Sequence, residues 1–180
     1  KLSLQYPLIE LANGLIYIWI FAVKGFGLES VLFCACASTL IVISMIDFRT
    51  YEIPFGCNLV ILALGAVRLI LDLPHWYDYV IGFFTVSGIF MIIYWITRGN
   101  GIGGGDIKLM AACGLILGWK LILLAFVLGC IIGSVVHIIR MVRKKAGRML
   151  AMGPYLSAGI LLAALWGNRW ISWYLSLIFN

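Results

Sequence analysis

Stretches without a single formal charge divide this chain. Residues 30–46, 79–97, 121–139 and 149–168 each lack Asp, Glu, Lys and Arg. At ~1.5 Å rise per residue, about 20 residues cross the ~30 Å hydrocarbon core of a bilayer, so each stretch predicts a membrane-spanning helix. Two further apolar runs are interrupted: residues 8–23 carry Glu10 near their start, and residues 53–71 carry Pro54 and Arg68. Residues 107–119 are short for a full crossing. Residues 169–180 are rich in Trp and Tyr and predict an interfacial helix or a frayed end. No repeat, low-complexity tract or linker marks a second domain, so residues 1–180 read as one unit.

Lys and Arg decide whether residues 107–119 cross. If they do, Lys1, Arg49, Arg98, Lys108, Arg140, Arg143, Lys144, Lys145 and Arg148 share one side, nine against the four of Lys24, Arg68, Lys120 and Arg169. If they do not, the split is six against seven. Positive charge concentrates on cytoplasmic loops, so the first arrangement is expected. The fold class is then an all-α polytopic integral membrane protein with about seven transmembrane helices and short loops. That topology also puts the two unusual loops, residues 47–58 and 97–106, together on the cytoplasmic face.

Composition agrees. Hydrophobic residues make up 64% of the 180 and charged ones 11%, with a mean hydropathy of +1.10. Soluble domains carry about 25% charged residues, so a soluble enzyme, a disordered chain and a coiled coil are excluded. The net charge of +6 sits between apolar runs, which points to topology and anionic lipid rather than nucleic acid. The basic group Arg140, Arg143, Lys144, Lys145 and Arg148 is assigned to lipid headgroups. Cys34, Cys36, Cys57, Cys113 and Cys130 form no Cys-x-x-Cys pair, and His75 and His137 stand apart from them in a loop and late in an apolar run. No metal site and no cofactor are expected. Cys34, Cys36 and Cys130 read as small core residues.

Carboxylates are scarce, and a charge at the centre of a membrane helix costs about 2.5–3.5 kcal/mol. Asp72 and Asp78 flank Pro74 in a connection and read as solvated, Glu52 falls in a loop, and Glu29 precedes a helix start. Asp47 and Asp106 differ. Asp47 ends an apolar run, and Asp106 follows a stretch, residues 99–105, that holds five glycines. Gly103, Gly104 and Gly105 leave room beside that acid for an extended chain. The Asp after the last Gly repels phosphate, and no Walker pattern is present.

Two carboxylates hydrolyse an amide when one, ionised, takes a proton from attacking water and the other, protonated, polarises the carbonyl. Helix dipoles would place the resting proton on Asp47, near a helix C-terminus, and leave Asp106, near an N-terminus, as base. The same residues also fit simpler roles, a helix end facing headgroups and an N-cap. A proton- or cation-coupled membrane transporter using the same pair is a second functional possibility.

At this point the motifs resemble a known family. Residues 101–109, Gly-Ile-Gly-Gly-Gly-Asp-Ile-Lys-Leu, resemble the Gly-x-Gly-Asp signature of the type IV prepilin peptidases, which are intramembrane aspartic proteases. Asp47 with Ile53-Pro54 resembles the family's first aspartate and the Ile/Leu-Pro after it. Tyr6-Pro7-Leu8-Ile9-Glu10 and Gly153-Pro154-Tyr155-Leu156 are similar to two flanking motifs, so the likeness runs in order from Tyr6 to Leu156. Phe55 stands where the family usually has Asp or Asn, with Asn58 nearby, and Met152 replaces a Phe.

The resemblance implies removal of a basic leader peptide from type IV prepilins or type II secretion pseudopilins, at the cytoplasmic face of the bacterial inner membrane. It carries Asp47 and Asp106 over as the catalytic pair, with Pro54, Gly103, Gly104, Gly105 and Lys108 as supporting positions. Lys108 is expected to bias the charge of the pair. Bifunctional members carry a Cys-rich N-terminal domain for N-methylation, and residues 1–180 contain no such pattern, so methyltransferase activity is not assigned.

Overall fold

A computed structural model describes residues 5–143 and 151–178. Among them every regular element is helical: α1 (Gln5–Lys24), α2 (Leu28–Thr50), α3 (Phe55–Leu71), a 3₁₀ turn (Leu73–His75), α4 (Trp76–Ile96), α5 (Gly104–Leu117), α6 (Trp119–Val142) and α7 (Gly153–Ile178). The polytopic membrane protein expected from the charge-free runs is what forms. α1, α2, α4 and α6 are long and apolar enough to cross a bilayer, and α3 is a shorter apolar helix.

One boundary differs from expectation. Residues 169–178 are not a separate interfacial helix but the last turns of α7, which is 26 residues long. Arg169 does not stop it, because an exposed Arg near a helix end reaches headgroups along its aliphatic stem. The basic residues Lys1, Lys144, Lys145 and Arg148 lie outside the described residues, as does Met149.

Side-chain contacts define two ends of the bundle. At one, Glu29 of α2 accepts from Lys24 of α1 at 3.2 Å and pairs with Arg68 of α3 at 3.4 Å. Tyr79 of α4 donates to Asp72 at 2.7 Å, and the Trp119 indole N–H of α6 donates to Asp78 at 3.0 Å. Asp72 and Asp78 are thus hydrogen-bonded rather than merely solvated, and the bonds from His75 and Tyr79 hold the Asp72 carboxyl below its ordinary range. Arg68, which interrupts an apolar run, is tolerated because Glu29 and the Tyr79 ring, 5.6 Å away, receive it. Trp76, Tyr77, Trp119, Trp170, Trp173 and Tyr174 surround this end, all exposed, as an interfacial aromatic belt does.

At the other end lie the last turn of α2, the start of α3 and the start of α7. α5 joins the two. Asn58 of α3 reaches Gly105 at its N-terminus, while Gly118 at its C-terminus lies beside Asp78. Residues 107–117 therefore do run from end to end, as the Lys/Arg count requires.

Helices in lipid gain little from hydrophobic burial against one another and associate where small residues let backbones approach. Gly82 of α4 and Gly114 of α5 do this: a Cβ on Gly114 would sit 2.2 Å from the Gly82 carbonyl oxygen. Gly159 of α7 packs on the Ala125 carbonyl of α6 in the same way, at 2.3 Å. Gly114→Ala should force α4 and α5 apart and cost about 3 kcal/mol in denaturant unfolding in mixed micelles. Gly88→Ala, with nothing within 4 Å of the added Cβ, is the matched control and should be neutral or slightly stabilising.

Candidate active site

Asp47 lies one turn before the end of α2. The helix stops because Tyr51 takes a left-handed backbone, φ 57°, and returns its N–H to the Asp47 carbonyl at 2.9 Å. Ile53 and Pro54 then run extended, since a residue before proline avoids the helical region. Pro54 caps α3, where its missing N–H leaves no intrahelical bond unmade. The chain thus turns back within four residues, and Asp47 is 5% exposed at the turn.

Asp106 is positioned from the other side. Just past the end of α4 at Ile96, Arg98 and Gly99 both turn left-handed, φ 52° and 81°, and the Gly99 N–H bonds back to the Tyr94 carbonyl at 2.8 Å. Gly103 caps α5 in extended backbone, and Asp106 follows at the third helical position. There its carboxylate turns back to the Gly103 backbone, with Oδ2 3.2 Å from where a Cβ on Gly103 would lie, at the reach-back position of a capping box. Asp106 is therefore not the N-cap itself. Its charge interacts with that of Asp47, and both acids line the same two connected cavities.

Three neighbours fix the pair. The first N–H of α7, from Gly153, donates to Asp47 Oδ2 at 2.8 Å, in a buried hydrogen bond. A Cβ on Gly153 would stand 2.7 Å from that same oxygen, so only glycine lets the helix approach. Ile53 packs on Gly105, where an added Cβ would lie 2.9 Å from the Ile53 Cβ. Asn58, buried, donates from Nδ2 to the Gly105 carbonyl at 3.4 Å.

The Gly153 contact alters the proton assignment made from helix dipoles. Asp47 faces the negative end of its own helix and the positive end of α7 together, so α2 alone does not place the resting proton there. Nothing in the local sequence around Asp47 announces this donor. The Gly-Pro motif was legible only by resemblance, and the structure gives it a job.

The remaining candidates fall as follows. Gly103, Gly104 and Gly105 line the cavity with both acids, and nothing lies within 4 Å of a Cβ on Gly104. Lys108 is two residues beyond Asp106, so helical geometry turns it to another face. Its ammonium lies 5.3 Å from the Phe55 ring centroid, at a separate cavity between α3, α4 and α5. It does not touch either acid. Cys34 and Cys36 are buried as expected, whereas Cys130 is half-buried and lines the cleft. Among the described residues no three His, Cys, Asp or Glu side chains gather as metal ligands would.

These features define a class: a polytopic membrane protein with two carboxylates from different helices in one cleft at a bundle end. The sequence profile of the type IV leader peptidase family matches residues 34–138. A prepilin leader peptidase/N-methyltransferase of Bacillus subtilis is 33% identical over 184 residues, covering 98% of this chain and 72% of that protein. Proteins of the same name from Stutzerimonas stutzeri and Pseudomonas aeruginosa are 31% and 28% identical, with 97% and 95% of this chain covered. The chain spans 63% and 61% of those two relatives. No solved structure gives a significant match. The chain belongs to the type IV leader peptidase family.

Proposed function

We propose that this chain is a membrane-embedded aspartic endopeptidase that removes the basic leader from type IV prepilins or type II secretion pseudopilins. The observation that carries it is the meeting of Asp47 and Asp106, from α2 and α5, in one cleft beside a strip of glycines. An ionised carboxylate activates water there, and its protonated partner supplies a hydrogen bond to the carbonyl oxygen as charge develops. The proton is shared by the pair, so the two exchange roles as the amine leaves. A substrate helix already in the bilayer reaches the cleft laterally. Only its scissile stretch has to unwind, where the cleft rather than lipid receives its backbone.

Arg49, Arg98, Lys108, Arg140 and Arg143 lie on the acid-bearing side in this topology. Under the positive-inside rule that basic side supports a site at the cytoplasmic face of the bacterial inner membrane. The test is leader removal by the purified chain in lipid nanodiscs, followed by mass spectrometry of the products. Cleavage at a single bond between leader and apolar helix is expected, and an uncleaved precursor at enzyme excess would overturn the reading. Millimolar chelator should leave the rate within about twofold, because the described residues gather no metal-ligand set. Loss of activity that zinc restores would contradict a two-carboxylate mechanism.

A further inference from the structure

The cleft has two unlike arms that meet at the acids. One is lined by Tyr51, Glu52, Ile53 and the three glycines Gly103, Gly104 and Gly105. It is polar and carries a third carboxylate, Glu52, which is exposed. The other descends between α4, α6 and α7, past Phe90, Ile93, Phe126, Cys130, Met152 and Leu156. Apart from backbone, the two acids, Tyr51 and Asn100, its lining is apolar. Neither arm is lined by a Lys or Arg among the described residues.

We infer that the cleft binds its substrate in one direction: residues before the scissile bond lie in the Glu52 arm, and residues after it enter the Phe126–Cys130 arm. Glu52 is then a specificity determinant for a basic residue close to the cleaved bond. This rests on the leader-peptidase reading and goes beyond it, since that reading is silent on which side of the acids each half occupies. Glu52, added to the one negative charge that the acid pair retains and with no Lys or Arg lining this arm among the described residues, gives it the more negative potential, which attracts a cationic leader and repels an acidic one. The lower arm offers ring and aliphatic surface at membrane depth, where an apolar helix loses nothing by leaving lipid and a charged leader would be stranded without partners. Reversing the substrate would put lysines against Phe90 and Phe126.

Cys130 supplies the reporter. In the full chain carrying Asp106→Asn, a precursor with one cysteine scanned along it should form a disulfide with Cys130, under copper-phenanthroline oxidation, from the first few positions after the scissile bond. Leader cysteines should not, and Cys130→Ser should abolish the product. Crosslinking from leader positions, or from none, overturns the direction.

A charge swap reads the other arm. Glu52→Lys should raise KM roughly tenfold for a precursor with Lys before the scissile bond, with kcat within about twofold. A precursor with Glu at that place should recover. An unchanged KM overturns the role of Glu52. Failure of the wild-type chain to cleave any precursor would count against the peptidase reading, whereas crosslinking measures binding direction without cleavage.

Discussion

Asp47→Asn is expected to reduce leader removal by about 10³-fold or more, and Asp106→Asn by a similar factor. An amide neither takes a proton from water nor gives one to a carbonyl, so either change removes one half of a shared reaction. The fold should survive both. In Asp47→Asn the side-chain amide oxygen still accepts the Gly153 N–H that Asp47 Oδ2 accepts now at 2.8 Å. At Asp106 the same substitution is isosteric and fits the same place beside the Gly103 backbone. Single-turnover rates against a prepilin, read beside the thermal melt of each variant in detergent, separate chemistry from folding. Effects of the two should not add, because a pair that works as a unit is lost with its first member. Brisk cleavage by either variant would remove the pair from the mechanism.

Gly153→Ala comes next in expected size. The added methyl would lie 2.7 Å from Asp47 Oδ2 and 3.0 Å from its carboxyl carbon. Both atoms belong to a group that is 5% exposed, so it has little space to retreat. Either α7 slides back and withdraws its N–H, or the Asp47 carboxyl rotates away from Asp106. A displacement of about 1 Å at a catalytic group costs on the order of 10²-fold. The loss should fall mainly on kcat, with a smaller rise in KM because a shift of α7 also moves Met152 and Leu156 in the apolar arm. Gly104→Ala, where the added methyl meets nothing within 4 Å, should keep kcat within a few-fold, and a larger loss at Gly104 than at Gly153 would reverse this ranking.

Much of the architecture was readable before the structure. Three of the four charge-free runs fall in helices long and apolar enough to cross a bilayer, because a buried charge in lipid is expensive enough to be rare. α1 joins them although its run carries Glu10. The count of Lys and Arg went further and put the two ends of the 14-residue α5 on opposite sides of the bundle. The two acids stood out because each closes or opens an apolar segment. What escaped was set by contacts between distant segments. The donor to Asp47 comes from Gly153, a partner that no local pattern marks. Arg169 suggested a break because charge ends an apolar run in sequence, yet a helix continues wherever its stem reaches headgroups. The displacement of Lys108 from the acids was available in principle, since two residues along a helix turn a side chain to the opposite flank.

The length of α5 has a consequence for where this chain works best. Fourteen residues rise about 21 Å, against ~30 Å of hydrocarbon. With its far end held at the aromatic belt, its acid-bearing end stops short of the opposite headgroups. Acyl-chain length then controls the water supply of the reaction. Short-chain lipids bring the aqueous boundary down to Asp106, and long-chain lipids leave the acids under a layer of hydrocarbon that only the cleft itself can wet.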